Sequence, residues 1–210
     1  MAQVRPYRGI DAPTRAADRR LRLIDAGLEL LGGECPPDQA PDELTVRAIC
    51  RQSGVAVRYF YENFDDKDDL VGAVFDSVTA HLAATTQAAV AAAPSAEQNR
   101  AGIANIVRII SDDPRIGRLL FSTQLSNGVV LRKRAEQGGI FAMLSLEHIN
   151  TALRAPGNSR VNAVAHFVVG GVGQTLSAWL SGEIALSPAE LVDQLQAILG
   201  ALNEPHLFHA

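Results

Sequence analysis

Apolar residues recur at helical spacing along this chain, and no segment shows the strict alternation of apolar and polar positions that is typical of a strand. The first amphipathic stripe begins at Leu21, and Gly32–Gly33 ends its helix. A second long stripe occupies residues 70–82, and Pro94 stops that helix. The final helix opens at Ser187–Glu190, a capping box with proline at the first helical position. The pattern predicts an all-α fold of about nine helices.

Two short helices joined by a tight turn are predicted between residues 45 and 64. Thr45 suits an N-cap, and Gly54 suits the left-handed residue that ends a helix. The second short helix, about 56–63, turns Phe60 and Phe64 inward and leaves its other side without a core. This is the spacing of a helix-turn-helix, whose second helix lies in a DNA major groove. A generic helical hairpin has the same spacing, so the pattern alone leaves both interpretations open.

The charge distribution favours the DNA-binding interpretation, although the net charge is −4. Residues 1–22 contain six Arg and two Asp, a balance of +4, so the remaining chain carries −8. Residues 1–14 are predicted to form a flexible basic arm, and Arg19 and Arg20 follow on the first helix. A basic segment beside an acidic body is typical of a protein that meets nucleic acid at one end.

The remaining motifs argue against several other classes of protein. Cys35 and Cys50 lack the companion Cys and His spacing of a zinc site, so we expect no metal and no cofactor. A redox role for Cys35 stays open. No phosphate loop, nucleophile elbow or HExxH motif is present, so we do not expect an enzyme. The first residues lack the apolar segment of a signal peptide, and a cytoplasmic location is expected. Residues 161–182 carry no charge and could span a bilayer by length, but a polar stripe favours a buried helix and no membrane.

Several segments between residues 22 and 70 share the pattern of one protein family: LIDAGLELL (23–31), Thr45–Val46, AICRQSGV (48–55), Tyr61-x-x-Phe64 and Lys67-x-x-Leu70. On these segments, residues 22–70 resemble the TetR family of bacterial transcriptional regulators. The resemblance implies a helix-turn-helix domain over residues 15–64 and a ligand-binding and dimerisation domain over residues 65–210. The chain departs from the family at Ala56, where a Ser or Thr usually caps the recognition helix, and in the longer link between residues 31 and 45.

The DNA contacts are predicted from the exposed side of the second short helix and its surroundings. Thr45, Tyr61 and Lys67 would anchor phosphates, whereas Val57, Arg58 and Tyr59 would meet base edges. Lys67 opposes the dipole of a long helix capped by Asp65, which suggests a phosphate contact, although a solvated lysine among aspartates is the alternative. The predicted DNA-binding residues are Thr45, Arg47, Val57, Arg58, Tyr59, Tyr61, Lys67, Arg19 and Arg20.

The resemblance also implies a small effector held inside the C-terminal bundle and a dimer formed by the last two helices. Each residue, taken singly, also fits an ordinary core or surface position. The predicted ligand-binding residues are His81, Ile106, Ile110, Phe121, Gln124, Leu125, Phe141, Leu144, His148, His166 and Phe167. The predicted dimer-interface residues are Gly170, Gln174, Ser177, Ser181, Leu191, Leu195, Ile198 and Leu202. The alternative is that both faces of these helices pack inside one subunit.

These observations together predict a ligand-responsive transcriptional regulator, most simply a repressor. It would bind a palindromic operator in double-stranded DNA as a homodimer, because a two-fold protein reads two half-sites. A small, largely apolar effector would release it from the operator. The alternative is a helical ligand-binding or adaptor protein that has kept the scaffold without sequence-specific DNA binding.

Overall fold

The computed structural model describes residues 12–33, 44–138 and 159–202, and all regular structure in these ranges is helical. The predicted wall residues Phe141, Leu144 and His148 lie outside these ranges, as do Cys35 and residues 1–11 of the predicted arm. A 3-10 turn, Ser95–Glu97, follows the fourth helix. The helices are α1 (Ala12–Gly32), α2 (Val46–Ser53), α3 (Val57–Tyr61), α4 (Lys67–Ala92), α5 (Gln98–Asp112), α6 (Pro114–Phe121), α7 (residues 128–138), α8 (Ser159–Leu180) and α9 (Pro188–Ala201).

Side-chain caps fix where several helices begin. The capping box predicted at α9 is confirmed: Ser187 N–H donates to Glu190 Oε2 at 2.8 Å, and Glu190 N–H donates to Ser187 Oγ at 3.3 Å. The prediction that Asp65 caps α4 is wrong by one residue, because the Asp66 carboxylate accepts from Asp68 N and Asp69 N. Asp65 N–H donates instead to Asp69 Oδ2, so aspartate side chains accept the backbone N–H groups of Asp65, Asp68 and Asp69 at the start of α4.

The first core is built mainly from α1 to α4. Phe60, Leu70 and Phe75 are among its fully buried side chains, and Leu119 of α6 completes it. Along α1 the buried face includes Leu23 and Ala26, whereas Leu21 is 65% exposed. The predicted α1 stripe therefore began on the wrong face, because leucine, isoleucine and alanine occur on more than one side of this helix.

The second core lies among α5, α8 and α9. Its buried side chains are Val107, Ile110, Leu176, Leu191, Val192 and Leu195. Helix α6 joins the two cores: Leu119 is buried in the first, Phe121 packs against the second, and Ile116 contacts both. Helix α6 is therefore placed to transmit a displacement from one core to the other.

A polar joint holds α6 against the end of α1. Arg118 Nε donates to the Gly32 carbonyl at 2.5 Å, and Arg115 Nη1 donates to Glu29 Oε2 at 2.9 Å. The hydrogen bond from Arg115 lowers the pKa of the Asp113 carboxyl, which also accepts from Arg115 N–H at the start of α6. At the other end of α6, Arg134 of α7 donates to the Leu119 carbonyl, and burial lowers the pKa of this guanidinium.

Helix α8 is, among the described residues, the one helix long and apolar enough to cross a membrane by length and composition, with a mean hydropathy of 1.2. The sequence predicted a buried helix here, but only 11% of this apolar window is buried, so the prediction is wrong for the part of the chain that the structure describes. Leu180 at its end lies so close to Gly117 of α6 that a Cβ there would overlap its methyl groups. Trp179 Nε1 donates to the Leu186 carbonyl at 2.8 Å, which ties α8 to the segment before α9.

Candidate nucleic-acid interface

The turn between α2 and α3 has the geometry that its residues predicted. Thr45 Oγ1 accepts from Ala48 N–H at 3.1 Å and caps α2. Gly54 ends that helix with φ +65°, in the left-handed region where a Cβ is costly. Val55 is 4% exposed and packs into the first core, and its N–H donates to Ser53 Oγ at 3.2 Å. These contacts fix the angle between α2 and α3.

Helix α3 has only five residues, and a helix this short depends on packing against its neighbours in addition to its own hydrogen bonds. Ala56 occupies its N-cap position and supplies no side-chain acceptor, as expected. Phe60 and Phe64 are 0% and 2% exposed, and burial of each contributes roughly 2 to 3 kcal/mol. Asn63 Nδ2 donates to the Tyr59 carbonyl at 2.7 Å at the other end of the helix. The aromatic pair therefore supports α3 where a cap is missing.

The solvent face of α3 presents an apolar group, a cation and a phenol. Val57 is 44% exposed, Tyr61 is 59% exposed, and Arg58 is also exposed. Tyr59 differs from them because it is half-buried against the first core. An exposed guanidinium and phenol can donate hydrogen bonds to base edges or phosphates, and a valine methyl can contact a thymine methyl.

The α1 arginines are engaged within the protein. Arg20 Nη1 donates to the Asn63 carbonyl at 2.8 Å, and its guanidinium lies 4.3 Å from the centre of the Phe64 ring. Arg22 Nη2 donates to the Ser53 carbonyl at 2.5 Å. Arg19 contacts the Tyr59 ring and pairs with Glu62 at 3.8 Å. Arg19 and Arg20, which the sequence placed among the DNA-binding residues, therefore contact groups in or directly after α3, and Arg22 contacts the end of α2.

Lys67 and Arg47 occupy exposed positions in the first turns of α4 and α2. Lys67 is the first residue of α4, its side chain is 48% exposed, and Nζ lies 3.4 Å from Asp68 Oδ1. This exposed ion pair is worth less than about 1 kcal/mol, so a phosphate can displace it. Arg47 is exposed in the first turn of α2. Both groups are accessible to an anion.

The predicted effector residues do not gather in one place among the described residues. Ile106, Ile110 and Phe121 belong to the second core, whereas Leu125 packs against the first. His81, Gln124, His166 and Phe167 are exposed, with Phe167 at 64%. A groove of about 380 Å³ lies instead between α5 and α9, and its lining includes Arg100, Ala104, Arg108, Pro188 and Val192. This groove was not predicted from the sequence, because its lining residues look like ordinary surface positions of two separate helices.

The predicted dimer face divides in two. Gly170, Gln174, Ser181 and Ile198 are exposed, and Leu202 is half-buried. Ser177, Leu191 and Leu195 are instead buried at 8%, 0% and 2% within the subunit, and both leucines lie in the second core. The assignment of all three to a partner surface is corrected, because both leucines of α9 face α5 and Ser177 is buried on α8 beside Leu176 of the second core.

Residues 23–74 match the sequence model of a family described as bacterial regulatory proteins, tetR family. No curated protein matches the chain. The fatty acid degradation regulator FadR from Bacillus halodurans has a similar fold, with 14% identity, a TM-score of 0.66 and coverage of 86% of this chain and 94% of that one.

Two further solved structures share the fold. FadR from Bacillus subtilis, solved in complex with stearoyl-CoA, is 18% identical with a TM-score of 0.63, and the match covers 85% of this chain and 96% of that one. A TetR-like transcriptional regulator from Rhodococcus sp. RHA1 is 16% identical with a TM-score of 0.66, and the match covers 89% and 97%. Each of the three matches covers at least 85% of this chain, so the likeness in fold extends well beyond residues 23–74.

Proposed function

We propose that the chain is a TetR-family transcriptional regulator, and that it is a ligand-responsive repressor that binds a palindromic operator as a homodimer; the match of residues 23–74 to the tetR family model supports this. The observation that carries this proposal is the solvent face of α3, where Val57, Arg58 and Tyr61 project from a helix that Phe60 and Phe64 anchor in the first core. A braced helix with an exposed guanidinium suits insertion into a major groove.

The proposed contacts divide into phosphate anchors and base readers. Thr45, Arg47, Tyr61 and Lys67 are exposed and would contact the DNA backbone, which contributes affinity but little sequence information. Val57 and Arg58 would contact base edges. Arg19 and Arg20 would act mainly by holding α3, because their guanidinium groups already contact groups near its C-terminal end.

The proposed dimer uses the exposed faces of α8 and α9. Phe167, Gly170 and Gln174 lie along α8, and Ile198 is 43% exposed on α9. Small residues allow the helices of two subunits to approach closely. Large exposed apolar side chains beside them favour burial against a partner. A two-fold axis through this face would set two α3 helices at a fixed separation, and an operator with matching half-sites would follow.

The proposed effector is a small molecule with a large apolar part. Ile106, Ile110 and Phe121 supply apolar surface near α6, and α6 also contacts α1 through Arg115 and Arg118. A ligand that displaced α6 would therefore move the α1 to α3 unit. Stearoyl-CoA, the compound bound to the Bacillus subtilis relative, is the first compound to test. A cytoplasmic location is part of the proposal, because operator and effector would meet there.

Selection of bound duplexes from a random DNA pool tests the function. We expect recovery of a palindrome whose half-sites are about one helical turn apart. Binding to it should weaken when stearoyl-CoA or another long-chain acyl compound is added. Recovery of unrelated sequences with no shared preference would contradict the proposal and favour a helical ligand-binding or adaptor protein. An asymmetric single site would contradict the homodimer.

A further inference from the structure

Tyr59 is unlike the other side chains on α3 because two guanidinium groups contact it. Arg19 of α1 and Arg58 of α3 each have their guanidinium carbon 4.3 Å from the centre of the Tyr59 ring. Arg58 Nη2 also donates a hydrogen bond to the Tyr59 hydroxyl. The ring itself is half-buried and packs against the first core. Tyr59 is therefore poorly placed to touch a base, although the sequence assigned it to base edges.

The same contacts restrict Arg58. An exposed arginine samples many rotamers and loses that freedom when it binds. Here the aromatic face and the phenolic oxygen hold the guanidinium in one place before any ligand arrives. One N–H of Arg58 is used in this contact, and a guanidinium carries five, so donors remain for a second acceptor.

Arg19 fixes the ring from the other helix. Its Nη2 lies 3.8 Å from the Glu62 carboxylate, which offsets the repulsion between two cations that share one aromatic ring. Arg19 Nε is buried and has no hydrogen-bond partner among the described residues. Among the described residues, the Tyr59 ring and the Glu62 carboxylate are therefore the contacts that hold this guanidinium. Arg19, Tyr59 and Arg58 thus form a continuous stack from α1 to the solvent face of α3.

We propose that Tyr59 is a positioning residue, which orients Arg58 to read a guanine through its N7 and O6 atoms, and that Arg19 holds Tyr59 in place. This inference rests on the proposed function. Bidentate recognition of guanine requires a guanidinium fixed in position and plane, which is what the stack supplies. Tyr59 would then control sequence preference without contacting DNA.

The test measures base preference rather than affinity alone. The wild-type protein is first used to select an operator, and dissociation constants are then measured on that operator and on every single base-pair variant of it. The same set is measured for Arg58→Ala, Tyr59→Phe, Tyr59→Leu and the Arg58→Ala/Tyr59→Leu double variant. Arg58→Ala should reduce the preference for one G·C pair by about 5- to 150-fold, the range for a bidentate contact.

Tyr59→Leu should reduce preference at that same base pair by about 5-fold or more, and Tyr59→Phe should give a smaller loss. The double variant should match Arg58→Ala alone, because two residues that act through one contact are not additive. Tyr61→Phe is the contrasting variant: it should weaken binding similarly on all sequences. Arg19→Gln should lower preference at the Arg58 base pair without changing preference elsewhere.

Several results would overturn the inference. One is a Tyr59→Leu variant that keeps the full preference at the Arg58 base pair, and another is an additive loss in the double variant. A shift of preference to a different base pair would show that Tyr59 reads DNA itself. Thermal unfolding identifies a variant that no longer folds. If Tyr59→Leu does not fold, the base preference of Tyr59→Phe is used instead, and full preference at the Arg58 base pair in that variant would overturn the inference. If wild type selects no operator, the proposed function fails; if Arg58→Ala alone changes nothing, only the reading role of Arg58 fails.

Discussion

Arg115 at the start of α6 donates to Glu29 near the end of α1, with 2.9 Å between Nη1 and Oε2. The same guanidinium donates through Nη2 to Asp113 Oδ2 at 2.8 Å and lies 3.3 Å from Asp25. One arginine therefore ties the helix that joins the two cores to the helix that braces α3. A substitution that removes these contacts should therefore destabilise both cores.

Replacing Arg115 with alanine should lower the free energy of unfolding at pH 7 by about 1 to 2 kcal/mol, because a half-buried group with three acidic partners is lost. Arg100→Ala is the matched control: Arg100 also bridges two helices, through Asp193, but both side chains are about half exposed or more. The control should lose less than about 1 kcal/mol. Urea unfolding at equilibrium measures both values, and equal losses would contradict the assigned role of Arg115.

The contribution of Arg115 should also depend on pH. Its hydrogen bond lowers the pKa of Asp113 in the folded protein below the ordinary value. A carboxyl with a lowered folded pKa contributes stability above its unfolded pKa, near 4, and loses that contribution as pH falls through the folded pKa. The difference in stability between wild type and Arg115→Ala should therefore shrink below about pH 4. A difference that stays constant from pH 7 to pH 3 would exclude Asp113 as the linked group.

Gly32 should tolerate no side chain. A Cβ at this position would overlap the backbone oxygen of Arg115, so α1 and α6 would have to move apart. We expect Gly32→Ala to cost about 1 to 3 kcal/mol, as other overpacked sites do. In Gly72→Ala, the control within α4, the new Cβ would meet only the flexible end of Lys133, at 3.8 Å. That change should stabilise by about 0.5 to 1 kcal/mol, and a loss of stability there as large as at Gly32 would refute the explanation.

Local signals were read well from the sequence because each depends on a few neighbouring residues. Thr45 and Gly54 mark the ends of α2 through cap chemistry, and Pro114 and Ser187 mark the starts of α6 and α9 in the same way. Phe60 and Phe64 were placed in the core because only one side of so short a helix can be buried. The helix-turn-helix followed from these signals.

The sites that were misplaced depend on contacts between distant segments. The stripe containing Leu191 and Leu195 indicates a buried face, but a stripe cannot distinguish a subunit core from a dimer interface. His166 and Phe167 lie on α8, an apolar helix without a dominant polar side, so its periodicity does not tell which side faces α6. The stack of Arg19 on Tyr59 joins residues forty positions apart, which no local pattern encodes.

Adding the missing cap to α3 should stabilise the protein. Ala56 has the extended backbone of an N-cap, with φ −67° and ψ 145°, so Ala56→Ser should gain about 0.5 to 1 kcal/mol. Ala80→Ser, at an exposed position inside α4, should lose up to about 0.5 kcal/mol. Amide hydrogen exchange across α3 should be fast in the free wild-type protein and slower in Ala56→Ser. Slow exchange across α3 already in free wild type would contradict the idea that this helix is poorly capped.

A charge on the exposed face of α9 should dissociate the dimer. Ile198→Arg would bury an unpaired guanidinium between subunits, so the dimer dissociation constant should rise roughly 100-fold or more. Leu131→Arg is the control, because Leu131 is 51% exposed on α7, away from the proposed interface. Sedimentation at micromolar concentration should show monomers for Ile198→Arg and dimers for Leu131→Arg. Dimers of both variants would show that the dimer interface does not include Ile198.

Lys67 offers a direct test of a phosphate contact. Lys67→Ala should weaken binding by a similar factor on every DNA sequence and reduce the slope of log affinity against log salt by about 0.9, the value for one phosphate. Lys133, the chain's other lysine, pairs with Asp76 of α4 at 2.7 Å and is the charge-matched control. Lys133→Ala should leave the slope unchanged.

Both slopes come from fluorescence anisotropy on the selected operator between low and physiological salt. An unchanged slope in Lys67→Ala would show that Lys67 is a solvated lysine among aspartates and contacts no phosphate. An equal fall of the slope in both variants would show that the effect comes from net charge alone.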